Sequence, residues 1–290
     1  MNIKQIVTHP GGAHKDEFIA CSLLVSLYNV PIYRREPSAE DLADKETCVV
    51  DIGGEHSPEN RNFDHHQFPR DYPPCCSISL ILQHLGVYDD AKAFCDWLEP
   101  AEWFDTRGPG VTAKWLGVER DAMAKLNSPI DITLLRRFAK HDELAAGNPI
   151  YEVMKMVGED MLDYVQNLRQ KLDYIESHCE HWEIPAGNET IKAIFLPRTE
   201  PLADEPSMGL GRYILSRQLE NEVAAIIYPD RRAGGYGVAR FNDHPQMDFN
   251  AISDEEDVHF VHNSGFLAKT SATDPQRLQG FVKSAWSPLS

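Results

Sequence analysis

The first 60 residues alternate short apolar runs with one longer amphipathic segment. The runs NIKQIVTHP, PIYRREP and ETCVVDIGG predict three strands, the first ending before Gly11–Gly12 and the third at Asp51. Between the first two runs, DEFIACSLLVSLYNV has apolar residues at helical spacing and acids in its first turn, which predicts a helix. This order of strand, helix, strand, strand is typical of an α/β sheet.

The pattern changes twice further along the chain. From Ser77 to about His181 helical periodicity dominates, and EVMKMVGEDMLDYVQNLRQKLDYIESHCEHW predicts one long helix. After Ile184–Gly187 the runs are short again, and TIKAIFL, NEVAAIIYP, GYGVARF and VHFVH predict strands. We therefore predict a domain at residues 1–184 and a smaller mixed α/β domain at residues 185–290.

Composition narrows the class of protein. No apolar run approaches the ~20 residues that span a bilayer, and MNIKQIVTHP lacks the pattern of a secretion signal. We expect a cytoplasmic protein with no membrane partner. Six cysteines in 290 residues are too few for a disulfide scaffold. The net charge of −17 argues against a protein that grips long nucleic acid through its phosphates.

Four pieces of the chain place His or Asp where a predicted element ends and a loop begins. They are His9 with His14 and Asp16, then Asp51, then Asp64 with His65 and His66, and lastly His141 with Asp142. Singly, each has an ordinary explanation, such as a turn residue or a helix cap. Together they predict a metal site, because sites in α/β sheets gather at the carboxyl ends of strands.

The mixture of imidazole nitrogen and carboxylate oxygen suits Mn²⁺, Fe²⁺, Co²⁺ or Zn²⁺. Two such ions can clamp the attacking and leaving oxygens of a phosphoryl transfer. Asp16, Asp51 and Asp142 carry three negative charges against four positive charges on two ions. The site would keep a positive remainder that attracts phosphate, although the whole chain is anionic.

These strings resemble the DHH phosphoesterase superfamily, and within it the metal-dependent protein hydrolase family, which is related to the melanocyte-proliferating-gene exonuclease. The residues that carry the resemblance are Thr8–His9, His14, Asp16–Glu17, Asp51–Gly54, Phe63–Gln67 and Phe260–Phe266. One departure concerns the end of the chain, where HNSGFLAKT replaces the Gly-Gly-His signature of many C-terminal DHH domains. Substrate preference therefore does not carry over from the nucleases.

The resemblance implies a fold and a set of roles. The fold is α/β, a DHH-type mainly parallel sheet with helices on both faces, plus the smaller C-terminal domain and an active-site cleft between them. By this resemblance, one ion would take His9, His14 and Asp51, and the other would take Asp16, Asp51, His65 and Asp142, with Asp51 bridging. Asp64 would orient His65, and His66 would point at the substrate phosphate. A bridging water would be the nucleophile, and the C-terminal part would supply phosphate ligands, for which the candidates are Arg240, His262 and Lys269.

The leading functional hypothesis is a phosphoesterase that cleaves phosphodiester bonds of nucleotides or short single-stranded oligonucleotides in an exonuclease-like way. It would use two divalent cations, with Mn²⁺ favoured over Mg²⁺, Co²⁺ and Zn²⁺. One alternative is a pyrophosphatase or small phosphomonoesterase, towards which the acidic surface leans. Another is a non-catalytic protein that binds metal or nucleotide. The oligomeric state stays open, a homodimer included.

Overall fold

The structure, a computed structural model, describes residues 3–125, 128–202, 205–231 and 234–287. The chain divides into two compact units, Met1–Asn167 and Leu168–Ser290. Within the described ranges, no helix combines the length and the apolar character needed to cross a membrane. Each unit is built around its own six-stranded sheet.

The first sheet confirms the predicted mainly parallel α/β architecture. Its order is β4-β5-β3-β1-β2-β6, with parallel pairing from β5 to β2 and an antiparallel strand at each edge. The strands are β1 Gln5–Thr8, β2 Ile32–Arg34, β3 Thr47–Val50, β4 His56–Ser57, β5 Asn62–Phe63 and β6 Glu143–Leu144. Because β1, β3 and β5 run the same way, the residues that follow them emerge at one edge of the sheet.

The helices of the first half include the long one that the sequence predicts. They are α1 Lys15–Tyr28, α2 Ala39–Ala43, α3 Ser77–His84, α4 Tyr88–Phe94, α5 Leu98–Trp115, α6 Arg120–Lys125, α7 Pro129–Phe138 and α8 Pro149–His178. Helix α5 is interrupted at Gly108, whose φ of 75° is left-handed and non-helical. Pro109 follows, so the segment consists of two helical pieces joined by a kink.

The second sheet has the order β11-β12-β10-β9-β8-β7 and is antiparallel except for the pair β8–β9. Its strands are β7 Glu180–Ala186, β8 Glu189–Phe195, β9 Val223–Pro229, β10 Tyr236–Arg240, β11 Val258–Val261 and β12 Leu267–Thr270; its helices are α9 Leu210–Ser216 and α10 Pro275–Ser284. One face is closed by an apolar core in which Trp182 stacks on Phe195 at 4.2 Å. Phe249 and Phe281 are fully buried in the same core.

The domain boundary predicted near residue 185 differs from the division of the structure, which falls inside α8. The segment Ile184–Gly187 is the end of β7 and the start of its hairpin turn to β8, with Gly187 at a φ of 65°. The composition shift there marks a change from helix to sheet, and such a change need not coincide with the border of a compact unit.

Helices α1 and α8 approach each other closely at Gly158. A Cβ at this position would lie 2.1 Å from the carbonyl oxygen of Ser22. We expect Gly158→Ala to lower the free energy of unfolding by about 1–3 kcal/mol, because the backbones must move apart. Gly280→Ala is the matched control, since Gly280 is also helical and has open space around it; it should be neutral or stabilising by up to about 1 kcal/mol. Urea titration of both variants checks this, and equal stability would contradict the close approach.

Candidate metal centre

Three strand ends deliver polar side chains to one edge of the first sheet. His9 follows β1, Asp51 follows β3, and Asp64–His66 follow β5. The backbone N–H of Asp51 donates to the carbonyl of Phe63 at 3.0 Å, and this bond holds the segment Asp64–His66 beside Asp51. The edge position is thus a consequence of parallel pairing.

Asp51 lies at the centre of the arrangement. Its φ is 60°, a left-handed conformation that Asp tolerates better than most residues. The residue is only 3% exposed. Its Oδ1 lies 3.1 Å from Nε2 of His65, and its Oδ2 lies 3.5 Å from Nε2 of His9. The two oxygens of Asp51 therefore face two different histidines.

The first group of potential ligands contains His9, His14, Glu17 and Asp51, whose donor atoms all lie within 4.8 Å of one another. Glu17 is fully buried, and its Oε1 lies 3.1 Å from Nε2 of His9. Both carboxylate oxygens of Glu17 accept from the backbone N–H of His14, at 2.9 and 2.7 Å. From the sequence, Glu17 is named only as part of the resembling string, and no role at the site is predicted for it.

A buried arginine holds the loop between His9 and His14. The side chain of Arg34, at the end of β2, is 1% exposed and donates to the carbonyls of Gly11 and Gly12 at 3.2 Å each. Its guanidinium stacks over the ring of Phe138 at 4.5 Å and lies 3.8 Å from Glu17. A planar fork that grips two carbonyls fixes a glycine-rich loop, which otherwise samples many conformations.

Two further groups of potential ligands are Asp51 with His65 and His66, and His14 with Asp16 and Asp105. The sequence pattern does not identify Asp105. Nε2 of His65 lies 3.1 Å from Oδ2 of Asp105 and 3.1 Å from Oδ1 of Asp51. Donor atoms of His14, Asp16 and Asp105 also lie within 4.8 Å of one another. Asp16 accepts a hydrogen bond from Ser77 at 2.6 Å. The only local signal for Asp105 is its place in AEWFDTRGPG, shortly before the Gly-Pro kink.

Asp142, predicted as a ligand, is exposed and lies in none of the ligand groups among the described residues. It precedes β6, and its carbonyl accepts from the backbone N–H of Arg34 at 2.8 Å. The reason is strand order: β6 pairs with β2, on the far side of β1 from β3 and Asp51. The carboxylate beside His65 is that of Asp105, at 3.1 Å, rather than that of Asp142.

Asp64 orients His66 rather than the predicted His65. Its Oδ1 lies 2.6 Å from Nδ1 of His66, and its Oδ2 accepts from the backbone N–H of Gly54 at 2.6 Å. Burial alone would raise the pKa of Asp64, but these hydrogen bonds outweigh it and hold the pKa at about 2. The side chain of His66 is 63% exposed, so an anchored imidazole faces solvent.

The donor set fits divalent cations. Four buried ligand atoms of this cluster make no hydrogen bond of acceptable geometry with a described residue, although carboxylates lie close to both histidines: Nε2 of His9, Oδ1 of Asp16, Oδ1 of Asp51 and Nε2 of His65. A buried polar atom without a partner costs about 1–3 kcal/mol, and an ion is one of the partners that removes this cost. Mixed imidazole and carboxylate donors suit Mn²⁺, Fe²⁺, Co²⁺ and Zn²⁺.

The acids of the cluster shift the pKa values of their neighbours in the metal-free protein. The carboxylate of Glu17, 3.1 Å from Nε2 of His9, raises the pKa of His9 to about 9. Burial lowers the pKa of His65, but the carboxylates of Asp105 and Asp51, each 3.1 Å from its Nε2, outweigh burial and raise the pKa to about 10. Burial raises the pKa of Asp16 well above its usual value. The cluster thus retains protons that a cation must displace.

The predicted phosphate ligands of the second unit each have a partner there. Nζ of Lys269 lies 3.1 Å from Oδ1 of Asp230, and Nδ1 of His262 lies 2.8 Å from Oγ of Ser264. Arg240 donates from its Nη2 to Asp243 at 3.0 Å. All three remain candidates for substrate binding rather than observed contacts.

Residues 5–86 match the family model MYG1_exonuc, which is described as Uncharacterised protein family (UPF0160). This match confirms the resemblance predicted from the sequence for that part of the chain. The chain is 38% identical over 89 residues to a MYG1 protein of Chlamydia pneumoniae, covering 29% of each. It is 45% identical over 67 residues to MYG1 exonuclease of Rattus norvegicus, covering 22% of this chain and 17% of the rat protein. The matched region therefore spans less than a third of the length of these relatives.

Two solved structures are similar at low level. A DHH domain from a member of the s1p family of ribosomal proteins gives a TM-score of 0.34 with 15% identity, covering 97% of this chain and 86% of that one. RecJ in complex with Mn²⁺ from Thermus thermophilus gives a TM-score of 0.28 with 15% identity, covering 97% and 51%.

Metal binding should release protons. At neutral pH His9 and His65 are protonated in the metal-free protein, because their pKa values are about 9 and about 10. A ligand nitrogen must lose its proton, so we expect apparent Mn²⁺ affinity to rise with pH and to level off above about pH 10. Calorimetry in buffers of different ionisation enthalpy measures the protons released per ion. Binding without proton release at neutral pH would exclude His9 and His65 as ligands.

Asp105 and Asp142 form a matched pair of variants. Asp105→Asn should weaken one of two Mn²⁺ binding events. The expected loss of affinity is about 10–100-fold or more, since even residues that only support metal ligands contribute that much. Asp142→Asn removes the same charge from an exposed position and should leave both events intact. Titration of the chelated protein with Mn²⁺ distinguishes the two, and the reverse result would restore Asp142 to the ligand set.

Proposed function

We propose that this protein is a metal-dependent phosphoesterase that hydrolyses phosphodiester bonds of nucleotides or short single-stranded oligonucleotides. The observation that carries the proposal is Asp51, one buried carboxylate whose two oxygens reach histidines of two different ligand groups. Two cations that share a carboxylate suit the in-line displacement at phosphorus. The names of the matched relatives, which include MYG1 exonuclease, agree with this reaction class.

Two divalent cations would occupy the site, with Mn²⁺ the favoured metal. His9, His14, Glu17 and Asp51 would hold one of them, and Asp16, Asp51, His65 and Asp105 the other. When bound, the pair supplies a water of lowered pKa and a clamp for the phosphoryl oxygens. The protein's own contribution is to fix the donors, which it does through Arg34 behind the first group and Ser77 beside Asp16.

His66 has the properties of a substrate-facing group. Its Nδ1 is held by Asp64, and the exposed ring presents its other nitrogen to solvent. The contact with Asp64 is the largest cause of a raised pKa for His66. When protonated, an imidazole held in this way can donate a charge-assisted hydrogen bond to a phosphate oxygen or to the leaving oxygen.

The charge balance favours phosphate even though the chain carries a net charge of −17. Four carboxylates, those of Asp16, Glu17, Asp51 and Asp105, are offset by Arg34 and by four charges on two ions. A local positive remainder persists, and it attracts an anion to this edge. The acidic remainder of the surface disfavours long polyanions, because long nucleic acids require many phosphate contacts. Short substrates, with pyrophosphate as the alternative, fit this balance.

Asp51→Asn separates a catalytic role from a turn role. Asn accepts the left-handed backbone as Asp does, so the variant should fold with a near-native melting temperature. Turnover should fall at least ~100-fold, as it does when a major electrostatic contributor is removed. The assay compares dinucleotides, short single-stranded oligonucleotides, a nitrophenyl phosphodiester and pyrophosphate, each with Mn²⁺.

Asp142→Asn is the control in this assay and should retain activity. Normal turnover by a folded Asp51→Asn protein would show that the reaction takes place at another site. Inactivity of the wild-type protein on every phosphoester, with two Mn²⁺ ions bound, would favour a non-catalytic metal-binding protein. Hydrolysis of pyrophosphate alone would favour the alternative substrate class.

A further inference from the structure

One face of the second sheet carries a row of side chains that runs across four adjacent strands. Tyr228 on β9 pairs with Gly237 on β10, Gly237 pairs with Lys269 on β12, and Lys269 pairs with Phe260 on β11. Directly paired residues project from the same face of a sheet. The opposite face is the apolar core, which takes the alternate residues of the same strands, such as Val238.

Gly237 allows the ring of Tyr228 to lie against the sheet. A Cβ at Gly237 would lie 2.8 Å from Cε2 and 2.9 Å from Cζ of that ring. The backbone φ of Gly237 does not require glycine, so the residue is needed for space and not for conformation. The tyrosine ring therefore covers the neighbouring strand and stays half-buried.

Lys269 and Phe260 complete the row on the other side. Phe260 is 44% exposed, which is high for a large aromatic residue within a strand. The side chain of Lys269 is 28% exposed, and its ammonium is held by Asp230 at 3.1 Å. An ammonium group has three donors, so two can still serve a ligand.

A second row on the same face contains His262. Its backbone N–H donates to the carbonyl of Leu267 at 2.9 Å, which continues the β11–β12 register by one more pair. The imidazole packs on Phe266, with ring centroids 4.4 Å apart. Strand alternation assigns Arg240 to the opposite face with Val238. Two of the three phosphate-ligand candidates of this unit, His262 and Lys269, thus share the face with both aromatic rings.

We propose that this face binds the nucleobases of a short single strand, with Tyr228 and Phe260 as stacking residues and Lys269 as a donor to phosphate or base. Aromatic side chains on an open sheet surface are a recurrent platform for unstacked bases. Three strand spacings separate the two rings, about 14 Å in all, so they take two bases of one strand rather than enclosing one base. The choice of nucleic acid rests on the proposed function, whereas the row itself does not.

The test is a binding measurement on the full chain with Ca²⁺ in place of Mn²⁺, so that turnover does not consume the probe. The probes are a fluorescein-labelled thymidine homopolymer and an abasic strand of the same length, followed by anisotropy. We expect the thymidine strand to bind about tenfold or more tightly than the abasic strand. Equal binding of the two strands, or no binding of either, overturns the proposal.

The variants separate stacking from a general loss of structure. Phe260→Leu and Tyr228→Leu should each weaken binding of the thymidine strand by about tenfold and leave abasic binding unchanged. Phe260→Tyr keeps a ring and should restore affinity. Leu215→Ala, at a residue that is 47% exposed on α9, is the matched surface control and should bind as the wild type does. Wild-type affinity in both leucine variants overturns the proposal.

Failure of this inference is distinguishable from failure of the proposed function. If the leucine variants weaken base-dependent binding and no phosphoester is hydrolysed in Mn²⁺, base binding at this face is supported and the proposed phosphoesterase activity is contradicted. If both leucine variants hydrolyse dinucleotides with unchanged KM and bind the strands as the wild type does, base binding at this face is contradicted and the phosphoesterase activity is supported.

Discussion

Buried carboxylates that crowd one edge of a parallel sheet are the constraint on which this structure depends. Asp16, Glu17 and Asp51 are at most 3% exposed, and Asp105 joins them through His65. Like charges in a poorly hydrated place repel strongly, so the arrangement requires compensating positive charge. In the metal-free protein, the raised pKa values of His9 and His65 favour their positively charged forms, and the raised pKa of Asp16 favours its uncharged form. A pair of divalent cations would provide the compensating charge more completely and would also satisfy the unpartnered donor atoms.

Arg34 is a buried, permanent cation at this edge, and it acts on the backbone as much as on charge. Its guanidinium donates to the carbonyls of Gly11 and Gly12, in the loop between His9 and His14. The same guanidinium packs on the ring of Phe138 and so connects that loop to α7. A lysine could supply the charge but not two parallel contacts to carbonyls. The position of His9 is therefore set by residues far from it in sequence.

Local sequence was sufficient to find the groups that follow strands, because a strand end is visible as an apolar run that stops at a polar residue. His9, Asp51 and His65 were identified in this way, and the parallel topology that brings them together was predicted with them. Asp105 does not follow a strand and could not be identified by this rule. It lies inside a helix and reaches the site only through the packing of α5. Asp142 had the right local pattern, but strand order, which depends on long-range pairing, places it beyond β2. The same limit applies to the domain boundary, where a hairpin turn has the composition of a linker.

Sheet topology also explains why the two units would use their sheets differently. A parallel sheet is usually covered on both faces, so polar chemistry is confined to the edge where strands end. The first unit places its acids and histidines there. An antiparallel sheet can keep one face open to solvent, and the apolar core described for the second unit lies on one face of its sheet. On the other face, α9 lies over β7, where the hydroxyl of Tyr213 is 3.1 Å from Nε2 of His181. From β9 to β11, Tyr228, Lys269 and Phe260 follow the strand register across that face. Edge chemistry needs a few precisely placed ligands, whereas a face offers area, which is what stacking of bases requires.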